Sequence, residues 1–283
     1  MKRLLLSVFL TASLLMANNT FAANAAPTER AKDGDKIVME ARQSNMEFTT
    51  IKVARGVRLI IDDRTDGNII IRTSKSLMPY VEVSVDKGVL TAKISDKVQR
   101  IDKCCTEIYI PDNRCINKIY AAGLASVVAK PTLSTMELDI SVTGASSVKL
   151  NATVSGKAEI ECIGASNITA SLTAGKCEVG VSGASKALLS GSAREADVEV
   201  AGASSLDAEG LKCDKLDAEV VGASRLTASG TVCDIEVAGA SKAVVKCDGT
   251  LEAEAAGAST IIYSGNCSLV KSSNVGASTI KKQ

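Results

Sequence analysis

The sequence predicts an all-β protein, a parallel β-solenoid of about eight coils that follows a strand-rich amino-terminal cap. Three observations predict this fold. The triplet Gly-Ala-Ser recurs eight times at intervals of 17 to 20 residues. Apolar and polar residues alternate before each triplet, and a further glycine follows most triplets. The interval is too short for a repeat made of paired helices and too long for a coiled-coil heptad.

The glycine of each triplet is expected at a tight corner, because a residue without a Cβ turns most easily. The alanine and serine that follow suit a place where neighbouring coils pass closely, although a functional row of serines is an alternative interpretation. The eight corner glycines are Gly144, Gly164, Gly183, Gly202, Gly222, Gly239, Gly257 and Gly276.

The alternation before each triplet is typical of strands with one buried face. Val198 and Val200, for example, are separated by Glu199 and preceded by Asp197. A period of two places the valines on one side of a strand and the acids on the other. One unit of this size cannot bury its apolar edge alone, so we expect the units to stack in parallel, about 4.8 Å apart.

The chain divides into four predicted segments. Residues 1–22 resemble a signal peptide, with Lys2 and Arg3 before an apolar run and then small residues. Residues 23–45 are expected to be flexible, residues 46–130 to form the β-rich cap, and residues 131–283 to form the Gly-Ala-Ser repeat. The predicted location is therefore outside the cytoplasm: periplasmic, on the cell surface or secreted. No later stretch is apolar enough over about 20 residues to predict a membrane span.

Composition and charge exclude several functions. The sequence has no His and no Trp, so histidine-based catalysis and histidine-ligated metals are excluded. With 33 basic and 32 acidic residues the formal charge is +1, which gives no general attraction for nucleic acid or anionic lipid. We expect no nucleic-acid partner.

Acidic residues recur five and three positions before the triplets, and stacking should align them as two outward-facing columns. Like charges placed opposite each other repel, so the columns need screening. One interpretation is that solvent and nearby cations screen the columns, namely Lys186, Arg225 and Lys242. The other is that a cationic partner or Ca²⁺ screens them, although no calcium-loop motif is present. The candidate binding residues are Asp197, Glu199, Asp217, Glu219, Asp234, Glu236, Glu252 and Glu254.

Nine cysteines form a second group of candidates. Cys213 and Cys233 each lie eleven residues beyond a triplet glycine in adjacent coils, so stacking suggests a disulfide. A second candidate bridge joins Cys115 to Cys104 or Cys105. Small apolar filling of the core is the alternative role for these thiols. No Cys-x-x-Cys pair is present, so we expect no metal site.

Short motifs before the repeat resemble those of a known family. They are Phe-x-x-Ile-x-Val-x-x-Gly-Val at 48–57, Pro-Tyr-Val-Glu-Val at 79–83, Asp-Lys-Gly-Val-Leu at 86–90 and Ile-Tyr-Ile-Pro at 108–111, followed by the repeated Gly-Ala-Ser. This order is similar to that of the "putative auto-transporter adhesin, head GIN domain" family over about residues 45–283. The resemblance implies a right-handed parallel β-helix in an exported bacterial protein.

The sequence therefore predicts a non-catalytic adhesin, or an envelope binding or scaffold protein, whose repetitive surface meets a glycan or a protein. A polysaccharide-acting enzyme and a calcium-dependent binding module are the alternatives. Catalysis is not expected because the acids recur almost identically from coil to coil, whereas an active site is a local exception to its scaffold. The strand pattern continues through the final coil at 275–280, which leaves an edge for pairing with a second copy of the chain.

Overall fold

A computed structural model describes residues 36–43, 47–65, 67–98, 106–112 and 114–283. The protein is an all-β solenoid of about nine parallel stacked turns, which confirms the predicted fold class and comes close to the expected eight coils. The predicted signal peptide and most of residues 23–45 lie outside the described residues. No helix among the described residues has the length and apolarity needed to cross a membrane.

Two groups of strands follow each other along the chain. The amino-terminal group contains β1 (Ile37–Gln43), β2 (Thr50–Ala54), β3 (Val57–Ile61), β4 (Asn68–Ser74), β5 (Val81–Asp86), β6 (Val89–Ile94), β7 (Thr106–Ile110), β8 (Lys118–Ala122) and β9 (Ser126–Thr135). The repeat contains β10 (Leu138–Val142), β11 (Ser147–Gly164), β12 (Asn167–Gly183), β13 (Lys186–Val200), β14 (Ser205–Val220), β15 (Arg225–Val237), β16 (Lys242–Gly257), β17 (Thr260–Ser264), β18 (Ser268–Gly276) and β19 (Thr279–Lys282).

Each long strand of the repeat bends around a corner and pairs in parallel with the equivalent strand of the next coil. Ile160 of β11 pairs with Val179 of β12, which pairs in turn with Val198 of β13. All three side chains are buried, as the alternation predicted. Equivalent residues thus form columns, and the inward columns make one continuous apolar core along the solenoid.

The amino-terminal region differs because it mixes parallel and antiparallel pairing. β2 and β3 pair in parallel with β8 and β9, so the stacking already begins in this region. β1 pairs antiparallel with β4, and β5 with β6. Its core side chains are large, among them Phe48, Ile51 and Leu59. The boundary proposed near residue 130 between cap and repeat stays a prediction.

The Gly-Ala-Ser corners hold neighbouring coils very close together. Gly202 has φ of +82°, and a Cβ there would lie 2.7 Å from the carbonyl oxygen of Gly183 in the preceding coil. The N–H of Ala203 donates to that same oxygen at 2.8 Å. Only glycine combines this left-handed backbone with this close approach. All eight corner glycines have positive φ: Gly144, Gly164, Gly183, Gly202, Gly222, Gly239, Gly257 and Gly276.

The serine of the triplet points inward and is buried. At most corners its hydroxyl binds backbone groups: Ser224 Oγ donates to the carbonyl of Gly202 at 3.1 Å, and Ser241 Oγ accepts from the N–H of Ser224 at 3.2 Å. Ser204 is the exception, since its buried hydroxyl has no hydrogen-bond partner among the described residues. The serines therefore fill and brace the corner from inside, which favours the structural interpretation over a functional row. Seven of them are at most 2% exposed, namely Ser146, Ser166, Ser185, Ser204, Ser224, Ser241 and Ser259.

We expect Gly202→Ala to lower the free energy of unfolding by at least about 2 kcal/mol. The new methyl group would sit in a left-handed backbone and contact the Gly183 carbonyl oxygen that accepts the corner hydrogen bond. Urea unfolding monitored by circular dichroism measures the change.

Gly180→Ala is the matched control. Gly180 lies within β12, and a Cβ there meets nothing within 4 Å. Alanine in a strand also loses less backbone entropy on folding than glycine, so this variant should be neutral or slightly more stable. Equal losses in the two variants would contradict the corner argument.

Candidate functional site

Two columns of carboxylates run along the outward face of the repeat. In the structure the predicted sets align in register: Asp197, for example, pairs with Asp217, and Glu199 with Glu219. The first acidic column consists of Asp139, Glu159, Glu178, Asp197, Asp217, Asp234 and Glu252. The second acidic column consists of Glu161, Glu199, Glu219, Glu236 and Glu254, with Gly180 between Glu161 and Glu199.

Two lysines neutralise the amino-terminal part of the first acidic column. Lys157 Nζ lies 3.1 Å from Glu159 and 2.7 Å from Glu178, and Lys176 Nζ lies 2.9 Å from Glu178 and 2.8 Å from Asp197. Partial burial acts to raise the pKa of Glu178, but the hydrogen bonds from both lysines bring it below its usual value. Each lysine thus bridges two successive coils, although such exposed pairs contribute little individually.

Further groups neutralise both ends of the first acidic column and the last carboxylate of the second. Lys118 Nζ lies 3.4 Å from Asp139, which also accepts a hydrogen bond from the hydroxyl of Tyr120 at 2.8 Å. Burial and this bond to Asp139 raise the pKa of Tyr120 to about 12. At the other end Lys271 forms ion pairs with Glu254 and, at 4.0 Å, with Glu252.

Glu199, Glu219 and Glu236, here called the central carboxylates, lie in the second acidic column between Gly180 and Glu254. Among the described residues none of the three makes an ion pair within 4.0 Å. Partial burial, and then the neighbouring Glu219, raise the pKa of Glu199. Partial burial also raises the pKa of Glu236, followed by the charges of Glu254 and Asp234. Ion pairs thus leave the negative charge of the second column uncompensated at the central carboxylates, as they do at Glu161, whose pKa is raised by burial and then by Glu159 and Asp139.

A shallow depression of about 150 Å³ adjoins the central carboxylates. Its walls carry Glu219, Glu236 and Glu254 together with small apolar side chains and Val275. Carboxylates beside apolar surface suit a group that is cationic at one point and apolar beside it. Chemically, the site is able to bind cationic groups reversibly.

The residues expected to screen the columns lie elsewhere. Lys186, Arg225 and Lys242 occupy one column beyond the Gly-Ala-Ser corner, where Arg225 pairs with Lys242 across β15 and β16. Lys157 and Lys176 come from the start of the acidic strands instead. Their position two residues before the first acidic column was visible in the sequence, but only the register shows that each lysine reaches two coils.

The carboxylate columns do not converge on a metal site. Across the described ranges, no group of three or more His, Cys, Asp or Glu side chains has a geometry that could hold a metal ion. In-register stacking explains this arrangement, because it places carboxylates side by side along a line rather than around a point.

The predicted pairing of Cys213 with Cys233 rests on a register that the structure contradicts. Cys213 pairs with Gly230 and Cys233 with Leu216, because the register shifts between Ala208 and Lys212. Both cysteines are buried free thiols. The second candidate bridge falls partly outside the described residues, because Cys104 and Cys105 lie there.

A second outward face, which the sequence interpretation did not single out, is rich in hydroxyl and amide groups. It carries a groove of about 500 Å³. Leu188 lines this groove and is exposed. Its partner in the coil before is Thr169, and its partner in the coil after is Asp207. Lys149 and Asn151 also line this groove. The polar residues at outward positions after each triplet could have indicated this face from the sequence. The groove itself depends on register shifts that the sequence does not reveal.

The fold and these columns define a solenoid protein that displays repeated side chains along exposed faces, as do many scaffolds that bind extended partners. The chain belongs to the family "Putative auto-transporter adhesin, head GIN domain", which its sequence matches over residues 47–232. This confirms the resemblance seen in the short motifs.

Solved structures share the fold across nearly the whole chain. A putative adhesin from Parabacteroides merdae has a TM-score of 0.69 at 19% identity, and one from Parabacteroides distasonis a TM-score of 0.67 at 17% identity. A protein from Parabacteroides distasonis described as a putative lipid binding protein has a TM-score of 0.68 at 14% identity. Each comparison covers 90% of this chain and 100% of the other chain. No curated protein matches the sequence.

The charge of Glu236 should reduce stability at neutral pH. Because the pKa of Glu236 is raised in the folded protein, the folded state disfavours its charged form, and this cost is lost as pH falls through that pKa. We expect Glu236→Gln to raise the free energy of unfolding at pH 7 by about 0.5 kcal/mol, or roughly 1–2 °C in Tm. The gain should disappear under acidic conditions; thermal unfolding across pH measures it.

Glu178→Gln is the opposite case and serves as the control. The pKa of Glu178 is lowered, so its stabilising effect is present above the usual carboxyl range and lost as pH falls. This variant should lower Tm at neutral pH. A shift of both variants in the same direction would show that the lysines do not divide the columns as described.

Proposed function

We propose that this protein is an exported, non-catalytic adhesin or envelope-binding protein whose acidic face attaches to a cationic partner. One observation carries the proposal: lysines pair with both ends of the first acidic column and with Glu254, but not with the central carboxylates of the second column. Charge that the fold leaves uncompensated, at a cost in stability, is available to a ligand.

Repetition is what would make such a surface bind well. Each carboxylate pairs weakly with an exposed cation, since single surface ion pairs contribute about 0–1 kcal/mol. Carboxylates in adjacent coils, at about 4.8 Å spacing, present several such contacts to one extended partner. Contacts on one chain act together, because each one raises the effective concentration of the next. A glycan or protein carrying several amines is the partner that this geometry fits.

The family and the structural neighbours support a binding role. The family description names an adhesin, and two of the similar structures are described as putative adhesins. A third is described as a putative lipid binding protein, which is also a binding function. Export is inferred from the signal-peptide pattern in residues 1–22, which implies a periplasmic, surface or secreted location.

The regularity of the acidic face argues for binding rather than catalysis. Glu199, Glu219 and Glu236 occupy equivalent positions in successive coils. General acid–base catalysis needs two groups whose environments push their pKa values apart around one reacting bond. Partial burial raises the pKa of both Glu199 and Glu236, so their pKa values are moved in the same direction rather than apart.

The test compares the mature chain with a variant that lacks the central carboxylates. We expect the triple variant Glu199→Gln, Glu219→Gln and Glu236→Gln to lose binding at least about tenfold on an array of glycans and proteins, because it loses three neighbouring contacts. Binding of the unchanged chain should also weaken as salt is raised, because exposed charges are screened.

A second triple variant keeps the same charge change but places it away from the acidic columns. Asp86→Asn, Glu209→Gln and Asp214→Asn remove three exposed carboxylates from other positions. This control should bind as the unchanged chain does. Equal binding by both triple variants would exclude the central carboxylates as the attachment site.

The predicted export is tested by removal of residues 1–22. Cells that make the full sequence should yield a processed protein outside the cytoplasm, with an intact mass that matches cleavage near residue 22. Cells that make residues 23–283 should retain the protein in the cytoplasm. An unprocessed full-length protein found in the cytoplasm would rule out export by this segment.

A further inference from the structure

Three cysteines meet at one corner of three successive coils. Cys247 pairs with Gly230 of the preceding coil. In the following coil Ser264 pairs with Lys246, so Gly265 occupies the place next to Cys247. In each neighbouring coil, therefore, a glycine stands beside Cys247 and a cysteine follows shortly after it: Cys233 in one and Cys267 in the other.

The missing side chains of the glycines make room for these thiols. Cys233 Sγ lies 3.0 Å from the place that a Cβ of Gly230 would occupy, so it fills the space beneath Cys247. Cys247 Sγ is held at the corner by hydrogen bonds to the carbonyls of Thr231 and Thr250, both at 3.3 Å. On the other side, the Cβ position of Gly265 contacts the Cys247 carbonyl oxygen directly.

Exposure separates the three thiols. Cys233 and Cys247 are buried, whereas Cys267 is partly exposed. An oxidant in solution therefore reaches Cys267 first. Thr250 pairs with Ser268, so Cys267 lies opposite Gly249, two residues beyond Cys247. The side chains of Cys247 and Cys267 nevertheless meet, within hydrogen-bonding contact of each other. The two sulfurs are therefore neighbours, as a disulfide requires.

We propose that Cys247 and Cys267 form a disulfide between coils by exchange with a low-molecular-weight disulfide. The Cys267 thiolate attacks one sulfur of that disulfide and forms a mixed disulfide, releasing one thiol. The Cys247 thiolate then attacks Cys267 Sγ, forming the Cys247–Cys267 bond and releasing the second thiol. The two cysteines are oxidised by two electrons, and the small disulfide is reduced to two thiols.

The geometry gives this bridge a physical effect and a pH dependence. It ties β18 to the coil of β16, its strand partner, and so restricts the unfolded chain. Burial, and then the neighbouring Cys247, raise the pKa of Cys267, so the reactive thiolate is scarce at neutral pH. The oxidation rate should therefore rise with pH, and the oxidised protein should have a higher Tm.

Peptide mapping distinguishes the bridge from its alternatives. Trypsin cuts after Lys246 and Lys271, so Cys247 and Cys267 fall in one peptide, Cys247–Lys271, and Cys233 falls in another, Leu226–Lys242. The folded mature chain is treated with oxidised glutathione at alkaline pH, alkylated under denaturing conditions and digested. We expect the Cys247–Lys271 peptide to be unalkylated and two hydrogen atoms lighter than its reduced form.

Two variants sharpen the result. Cys233→Ala should still give the lighter peptide, and Cys267→Ser should prevent it and abolish the rise in Tm. Circular dichroism of Cys267→Ser confirms the fold, since the position is partly exposed. Glutathione that stays attached to Cys267 without a second exchange would overturn the proposal. So would a cross-link between the peptides Leu226–Lys242 and Cys247–Lys271, because that would assign the bridge to Cys233.

Discussion

The structure depends on backbone hydrogen bonding between coils that stack in register at their Gly-Ala-Ser corners. At six successive corners, from Ala165 to Ala258, the N–H of the triplet alanine donates to the glycine carbonyl of the coil before it, as Ala165 does to Gly144 and Ala240 to Gly222, both at 2.7 Å. No side chain fits between coils at that point. Register is thereby set by the corner and carried along the strands on both sides, and every column of equivalent residues follows from it.

The in-register stacking that forms the apolar core also places like charges beside one another on the surface. Columns of valine and isoleucine bury each other, while columns of aspartate and glutamate repel. Lys157 and Lys176 offset the repulsion in the amino-terminal part of the first acidic column, and Lys271 offsets it at the last carboxylates. The fold tolerates the uncompensated centre because the coils above and below hold it in place.

Much of this could be predicted from the sequence, because the repeat aligns on its glycines. The strands, the corners and the acidic columns all follow from positions counted back from Gly-Ala-Ser. Counting forward from the triplet does not predict which residues pair, because the coils differ in length there. The register shift between Ala208 and Lys212, for example, separates Cys213 from Cys233. The ion pairs were also missed, since the reach of Lys157 to Glu178 depends on the spacing between coils rather than on sequence distance.

The contacts of each long strand are chiefly with the strands directly before and after it, as β13 pairs with β12 and β14. The length of a stack built in this way is set by the number of its coils. A gene that gained or lost one whole unit would change the length of the rod in steps of about 4.8 Å without creating a new kind of junction. Evolution can therefore adjust how far the protein extends while it keeps the chemistry of each layer.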